Sequence, residues 1–182
     1  DPTVPAHVKS IATTDISNWN TANVTNMIQM FRNAADFNQD IGNWDVSNVT
    51  NMNTMFQMAY AFNQPIGTWN TGKVTDMNNM FTDTIFTEPI GSWDTASVVD
   101  MSSMFLYSVF NQPIGSWNTS SVTNMSFMFS DNTYFNEPIG LWNTSNVIYM
   151  NNMFQGASAF NQSIGTWNTS LVTNMSSMFH GA

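Results

Sequence analysis

Seven tryptophans, Trp19, Trp44, Trp69, Trp93, Trp117, Trp142 and Trp167, divide the chain at steps of 25, 25, 24, 24, 25 and 25 residues. One sentence surrounds each of them. A complete copy runs Phe62-Asn63-Gln64-Pro65-Ile66-Gly67-Thr68-Trp69-Asn70-Thr71 and continues through Val74 and Met77 to Met80-Phe81. Self-similarity at a fixed period of about 20–50 residues marks coils that bury their apolar faces only by stacking. The first residues, Asp1 to Thr14, do not fit the repeat, so residues 1–15 are read as a leader or polar cap. Residues 16–182 are read as a single solenoid of seven repeats. Met178-Phe179-His180-Gly181-Ala182 stops where Met153-Phe154-Gln155-Gly156-Ala157 led into a further Phe, and this predicts continuation in a longer parent chain.

Within each repeat the apolar registers are strict. Val74 and its equivalents lie five residues after Trp, and Met77 and Met80 with theirs lie eight and eleven after, with Phe81 next. Val, Met, Met and Phe then fall at i, i+3, i+6 and i+7, which predicts one face of a short helix or 3₁₀ turn. Intrinsic propensity is poor because Val, Thr, Asn and Ser fill the segment. The preceding Asn143-Thr144-Ser145 type of triplet offers N-cap oxygens. In the other half, Phe62 and Ile66 share one face of an extended segment. Pro65, Pro89, Pro113 and Pro138 interrupt pairing there, and Gly67 and its equivalents permit a bulge that turns Trp inward. Both 24-residue steps arise in the loop between the two Phe columns, at Phe81 to Phe86 and Phe105 to Phe110. The predicted fold class is an α/β repeat solenoid. Each leucine-rich-repeat-like, right-handed coil has one short strand or extended segment and one short helix or 3₁₀ turn.

The run Phe160-Asn161-Gln162-Ser163-Ile164-Gly165-Thr166-Trp167-Asn168-Thr169-Ser170, followed by Val172-Thr173-Asn174-Met175-Ser176-Ser177-Met178-Phe179, resembles the BspA-like leucine-rich surface-protein repeat, also catalogued as DUF285. The resemblance covers Ile16 to Ala182. It implies a leucine-rich-repeat-like solenoid of long secreted or surface-anchored proteins, linked with adhesion to host or matrix proteins and to other cells. It supplies no catalytic site. Thr87 and Glu88 stand where the pattern has Asn-Gln, and Val99 where it has Thr, so local surface chemistry departs there.

Charge narrows the function classes. The net charge is −9, and the only basic residues are Lys9, Arg32 and Lys73. Nucleic-acid binding needs a basic stripe that releases counterions from phosphate, and none can be built here. With no cysteine, neither a disulfide framework nor a thiolate metal site exists. No apolar run reaches the roughly 18–20 residues that span a bilayer, so no direct membrane insertion is expected.

Catalytic chemistry has little to work with. His7 and His180 lie at opposite ends, Asp45 and Asp94 belong to the capping column, and Glu88 and Glu137 are isolated in a Gln column. The acids form no Asp-x-Asp-x-Asp calcium loop. The reading is no enzyme, no metal and no cofactor. The Trp column is read as a core ladder, with sugar stacking as the competing use of aromatic faces. Asn38, Asn63, Asn111, Asn136 and Asn161 suggest an asparagine ladder onto the next coil's backbone. Gln39, Gln64, Glu88, Gln112, Glu137 and Gln162 are the candidate exposed binding column. Thr21, Thr71, Thr95, Thr119, Thr144 and Thr169, broken by Val46, form either N-caps or a water-ordering row for ice binding. Candidate N-glycosylation sequons occur at Asn23, Asn48, Asn118, Asn124, Asn143, Asn161, Asn168 and Asn174.

The functional expectation is a non-enzymatic extracellular or cell-surface module for adhesion, with an extracellular protein or glycan as ligand. The alternatives are a subunit of an extracellular filament or coat that self-associates, glycosylated at those sequons, and an ice-binding solenoid.

Overall fold

A computed structural model describes residues 14–182, so the leader expected at residues 1–15 lies almost wholly outside the described residues. From Ile16 onward the chain winds into seven stacked coils, numbered one to seven by their tryptophans. No described residue is helical. Among the described residues the only strand-like pairing is a single parallel bridge between successive coils, Asn26 to Asn51, Asp76, Asp100, Asn124, Tyr149 and Asn174 in turn. A helix and a strand in each coil, the α/β reading, is thereby overturned.

What replaces the helix is a run of turns whose remaining hydrogen bonds leave the coil. In coil three, Met80 N–H donates to the Met77 carbonyl and Thr82 N–H to the Asn79 carbonyl, both at 3.2 Å. The intervening Met77, Asn79, Phe81 and Asp83 N–H groups donate to the Asp100, Ser102, Met104 and Leu106 carbonyls of coil four at 2.8–3.0 Å. Val99 N–H returns a bond of 2.8 Å to the Thr75 carbonyl. The three-residue spacing of the methionines fits these turns as well as a helix, because an i+3→i turn brings i and i+3 together as a helix does. Two positions per coil take the left-handed backbone that such turns need, for example Asn79 at φ 56° and Asp83 at φ 55°. Asn and Asp tolerate that region, and helix interiors exclude it. With the poor helix formers Val74, Thr75, Asn78 and Asn79 in the segment, crossing bonds win over axial ones. At about 1 kcal/mol net each, these bonds make the coil-to-coil junction the stabilising unit.

The segment expected to be a strand makes its cross-coil contacts through side chains. Pro65 and its equivalents carry no N–H to donate. In their stead, Asn63 N–H donates to Asn38 Oδ1 at 2.9 Å, Thr87 N–H to Asn63 Oδ1 at 2.9 Å, and Asn161 N–H to Asn136 Oδ1 at 2.8 Å. Gly does not act through a bulge here. A Cβ on Gly67 would sit 2.4 Å from the Pro89 carbonyl oxygen, and one on Gly91 would sit 2.5 Å from that of Pro113. Glycine is needed because the next coil's backbone lies directly on it.

The core consists of continuous rows. Phe56, Phe81, Phe105 and Phe129 stack at centroid distances of 5.6–5.9 Å, and each meets the Phe that opens the next repeat at 3.9–4.3 Å. Trp69–Trp93 and Trp117–Trp142 lie at 6.4 Å with planes within 4°. The Val and Met columns of coils two to six are fully buried. Burial of Val, Met and Phe against the neighbouring coils supplies the apolar gain that a single coil lacks.

Candidate interaction surface

The inward columns are consumed by the stack. Trp44, Trp69, Trp93, Trp117 and Trp142 are buried, Trp167 is half-buried, and Trp19 in coil one is exposed. Each indole from Trp44 to Trp167 donates Nε1–H to the Ile carbonyl of the preceding coil at 3.0–3.2 Å, as Trp93 does to Ile66. That carbonyl also accepts its own coil's Trp N–H, so both lone pairs are used.

The threonine row faces inward as well. Thr21, Thr71, Thr95, Thr119 and Thr144 are buried, and each hydroxyl donates to a backbone carbonyl of the next coil at 2.9–3.0 Å. Thr169 is exposed. Five hydroxyls of the row are thus withdrawn from solvent, and with no helix present they cap none. The capping-like bonds belong to the residue before, where Asp45, Asp94 and Asn143 side chains accept the N–H two residues on, closing Asx turns.

The Gln/Glu column is half-buried at all six positions. Gln64 Nε2 donates to the Asn38 carbonyl and to Asn38 Oδ1 at 3.0 Å, and Gln162 Nε2 repeats this on Asn136 at 2.9 and 3.0 Å. Gln39 bonds back to the Thr14 carbonyl and accepts from Ile16 N–H. Glu88 and Glu137 have acceptors only and cannot close this bond. Neither has a hydrogen bond or ion pair among the described residues. Of the sequon asparagines, Asn23, Asn118, Asn143, Asn161, Asn168 and Asn174 are exposed. Asn48 and Asn124 are half-buried, and their side-chain nitrogens donate to Ala22 O and Asp100 Oδ2.

A groove that sequence reasoning missed runs along the Pro–Gly strip. Exposed Pro65, Pro89, Pro113 and Pro138 line it with the glycines two residues on. Two cavities open in it. One of about 490 Å³ is bounded by Pro65, Gly67, Thr68, Pro89, Gly91, Ser92 and Pro113. The other, about 430 Å³, is bounded by Gly115, Pro138, Gly140, Leu141, Gln162, Ser163 and Thr166. Gln162 shows that the Gln/Glu column borders the groove. On the opposite rim, Ser92, Ser116 and Thr166 hydroxyls donate to the Gly67, Gly91 and Gly140 carbonyls at 2.7, 2.9 and 2.6 Å. Leu141 breaks that row. It is 93% exposed, and the Gly115 carbonyl opposite it has no hydrogen bond among the described residues. The signal was available as the one apolar residue in a Ser/Thr/Asn column.

Outside the groove, Tyr60, Ile85, Tyr107 and Tyr134 are about half exposed at the corner between the two Phe columns. Tyr60 Oη donates to Asp83 Oδ2 at 3.2 Å; partial burial first and the Asp83 charge second raise its pKa. Asp15 is lowered by Ser17 N–H and then its hydroxyl, and Asp45 by the Ser47 hydroxyl and then its N–H. Among the described residues no three His, Cys, Asp or Glu side chains gather as metal ligands would.

The family model described as "Mycoplasma protein of unknown function, DUF285" matches residues 4–108 and again residues 83–182. No curated protein and no solved structure matches the chain.

Proposed function

The chain belongs to the DUF285 family, and from the surface its coils leave free we propose that it is a non-enzymatic extracellular or cell-surface module that binds protein or glycan partners. One observation carries this reading. The Trp, Met, Phe, Thr and Asn columns are spent on stacking, while corresponding residues of successive coils line two open cavities along a single face. A repeated shallow site suits many weak contacts added along the stack, since linked contacts raise effective concentration. Cavities of 430–490 Å³ lie within the range that ligands fill.

Ice binding through the threonine row lacks support because five of its hydroxyls are buried. Self-association must bring together two chains that each carry net charge −9, a repulsion that opposes assembly. The test is immobilised chain against a panel of matrix proteins, glycans and cells. Saturable binding that Leu141→Thr weakens is the expected result. Absence of binding across the panel refutes the reading.

A further inference from the structure

We propose that the Pro–Gly groove takes an extended cationic peptide segment of a partner protein, with lysine or arginine at every fourth position, paired to Glu88 and Glu137. This rests on the groove being the interaction surface and names the chemistry of its partner.

Three observations converge. First, the two glutamates lack the N–H with which the amides of the groove's bordering column reach the preceding coil; Gln112 has that N–H and makes no such bond among the described residues. Gln64 and Gln162 fasten to Asn38 and Asn136, whereas a carboxylate at Glu88 or Glu137 has no N–H to offer the Asn63 or Asn111 carbonyl of the preceding coil. Both carboxylates are half-buried and unpaired among the described residues. A half-buried carboxylate without a partner favours a cation brought by a ligand. Second, each glutamate precedes a proline that lines a cavity, Pro89 in one and Pro138 in the other. The proline rings and Leu141 provide apolar floor for the methylene stem of a lysine or arginine, whose head remains at the carboxylate. Third, the free Gly115 carbonyl beside Leu141 is an acceptor for a backbone N–H, which an extended peptide presents and a bare cation does not.

Spacing fixes the pattern of the occupant. Glu88 and Glu137 stand in coils four and six, two coil steps apart. The rings that flank the groove repeat every 6.0–6.4 Å from coil to coil, so two steps are about 12–13 Å, which four residues of extended peptide at about 3.3 Å each span, and a step of four returns both side chains to the same face. Charge balance agrees, since a chain of net charge −9 attracts a cationic segment before contact.

The experiment titrates the whole 182-residue chain with a blocked synthetic peptide of valine and threonine carrying lysine at every fourth position. The comparison peptide has glutamate in place of lysine. The lysine peptide is expected to bind, weakening with added salt, and the glutamate peptide not to bind. Glu88→Gln with Glu137→Gln is expected to weaken binding roughly tenfold, as two partly screened ion pairs do, while raising the melting temperature because each glutamine regains the column's amide bond. That opposite movement separates a lost binding group from a damaged fold. Equal affinity of the double variant, or no binding of the lysine peptide, overturns the proposal. If a panel partner still binds and Leu141→Thr weakens it while the double glutamine variant does not, the groove stands as the interaction surface and the cationic occupant is refuted.

Discussion

Gly91→Ala tests the packing of coil on coil at one atom. A Cβ on Gly91 would sit 2.5 Å from the Pro113 carbonyl oxygen, where ordinary contact begins at 3.4 Å, so the coils must part by about 0.9 Å at that point. The Pro113 oxygen is backbone and cannot rotate away. Parting also stretches the Ser116 hydroxyl bond to the Gly91 carbonyl, now 2.9 Å, and the Trp117 indole bond to the Ile90 carbonyl, now 3.1 Å. Overpacking of this kind costs about 1–3 kcal/mol, or roughly 2–12 °C in melting temperature for a chain of this size. Gly165 supplies the control, because nothing lies within 4 Å of a Cβ built there. Gly165→Ala should be neutral or stabilising by up to about 1 kcal/mol through the unfolded state. The assay is thermal and urea unfolding followed by tryptophan fluorescence, since the indoles report the stack. Equal melting temperatures for Gly91→Ala and Gly165→Ala would refute the close approach of the coils.

Three further outcomes follow from the same bonds. Val46→Thr completes the hydroxyl row by donating to the Asn70 carbonyl and should stabilise by about 0.5–1.5 kcal/mol, whereas Thr95→Val should cost about as much or more; urea midpoints decide. Thr54, β-branched at φ 59°, occupies the column where Asn79 and Asn152 stand, so Thr54→Asn should gain about 1 kcal/mol by relieving left-handed strain. The Asp45 carboxyl is held below its usual range by the Ser47 hydroxyl and N–H, so its contribution to stability is present above the unfolded value of about 4 and is lost as pH falls through the depressed folded value. Asp45→Asn should therefore flatten the acid side of the melting temperature–pH curve while keeping the Asx turn.

Columns set by period were legible from sequence. The placement of Phe62, Ile66, Met77, Met80 and Phe81 in the core follows from their spacing alone, as does a shared environment for the tryptophans. The partner of Asn63 was legible too, because the next coil's residue in that column stands directly above it, and its backbone N–H reaches the Asn63 amide oxygen even where that residue is Thr87. Secondary structure was not. Spacing of three is satisfied equally by helical turns and by i+3→i turns, and the decision between them lies in whether Phe81 N–H bonds within its coil or to Met104 of the next. Gly67 was legible as a requirement but not as a cause, since the Pro89 oxygen that demands it is supplied by the neighbouring coil. The groove escaped because proline was read for the donor it lacks and not for the exposed ring it offers. Leu141 was visible only by comparison down its column.

The most direct measurement of the coil-to-coil bonding is NMR detection of scalar couplings across hydrogen bonds in isotope-labelled chain. The Phe81 amide should couple to the Met104 carbonyl, and the Asn79 amide to that of Ser102, twenty-three residues onward in each case. Coupling of the Phe81 amide to the Met77 carbonyl four residues earlier, as in a helix, would contradict it.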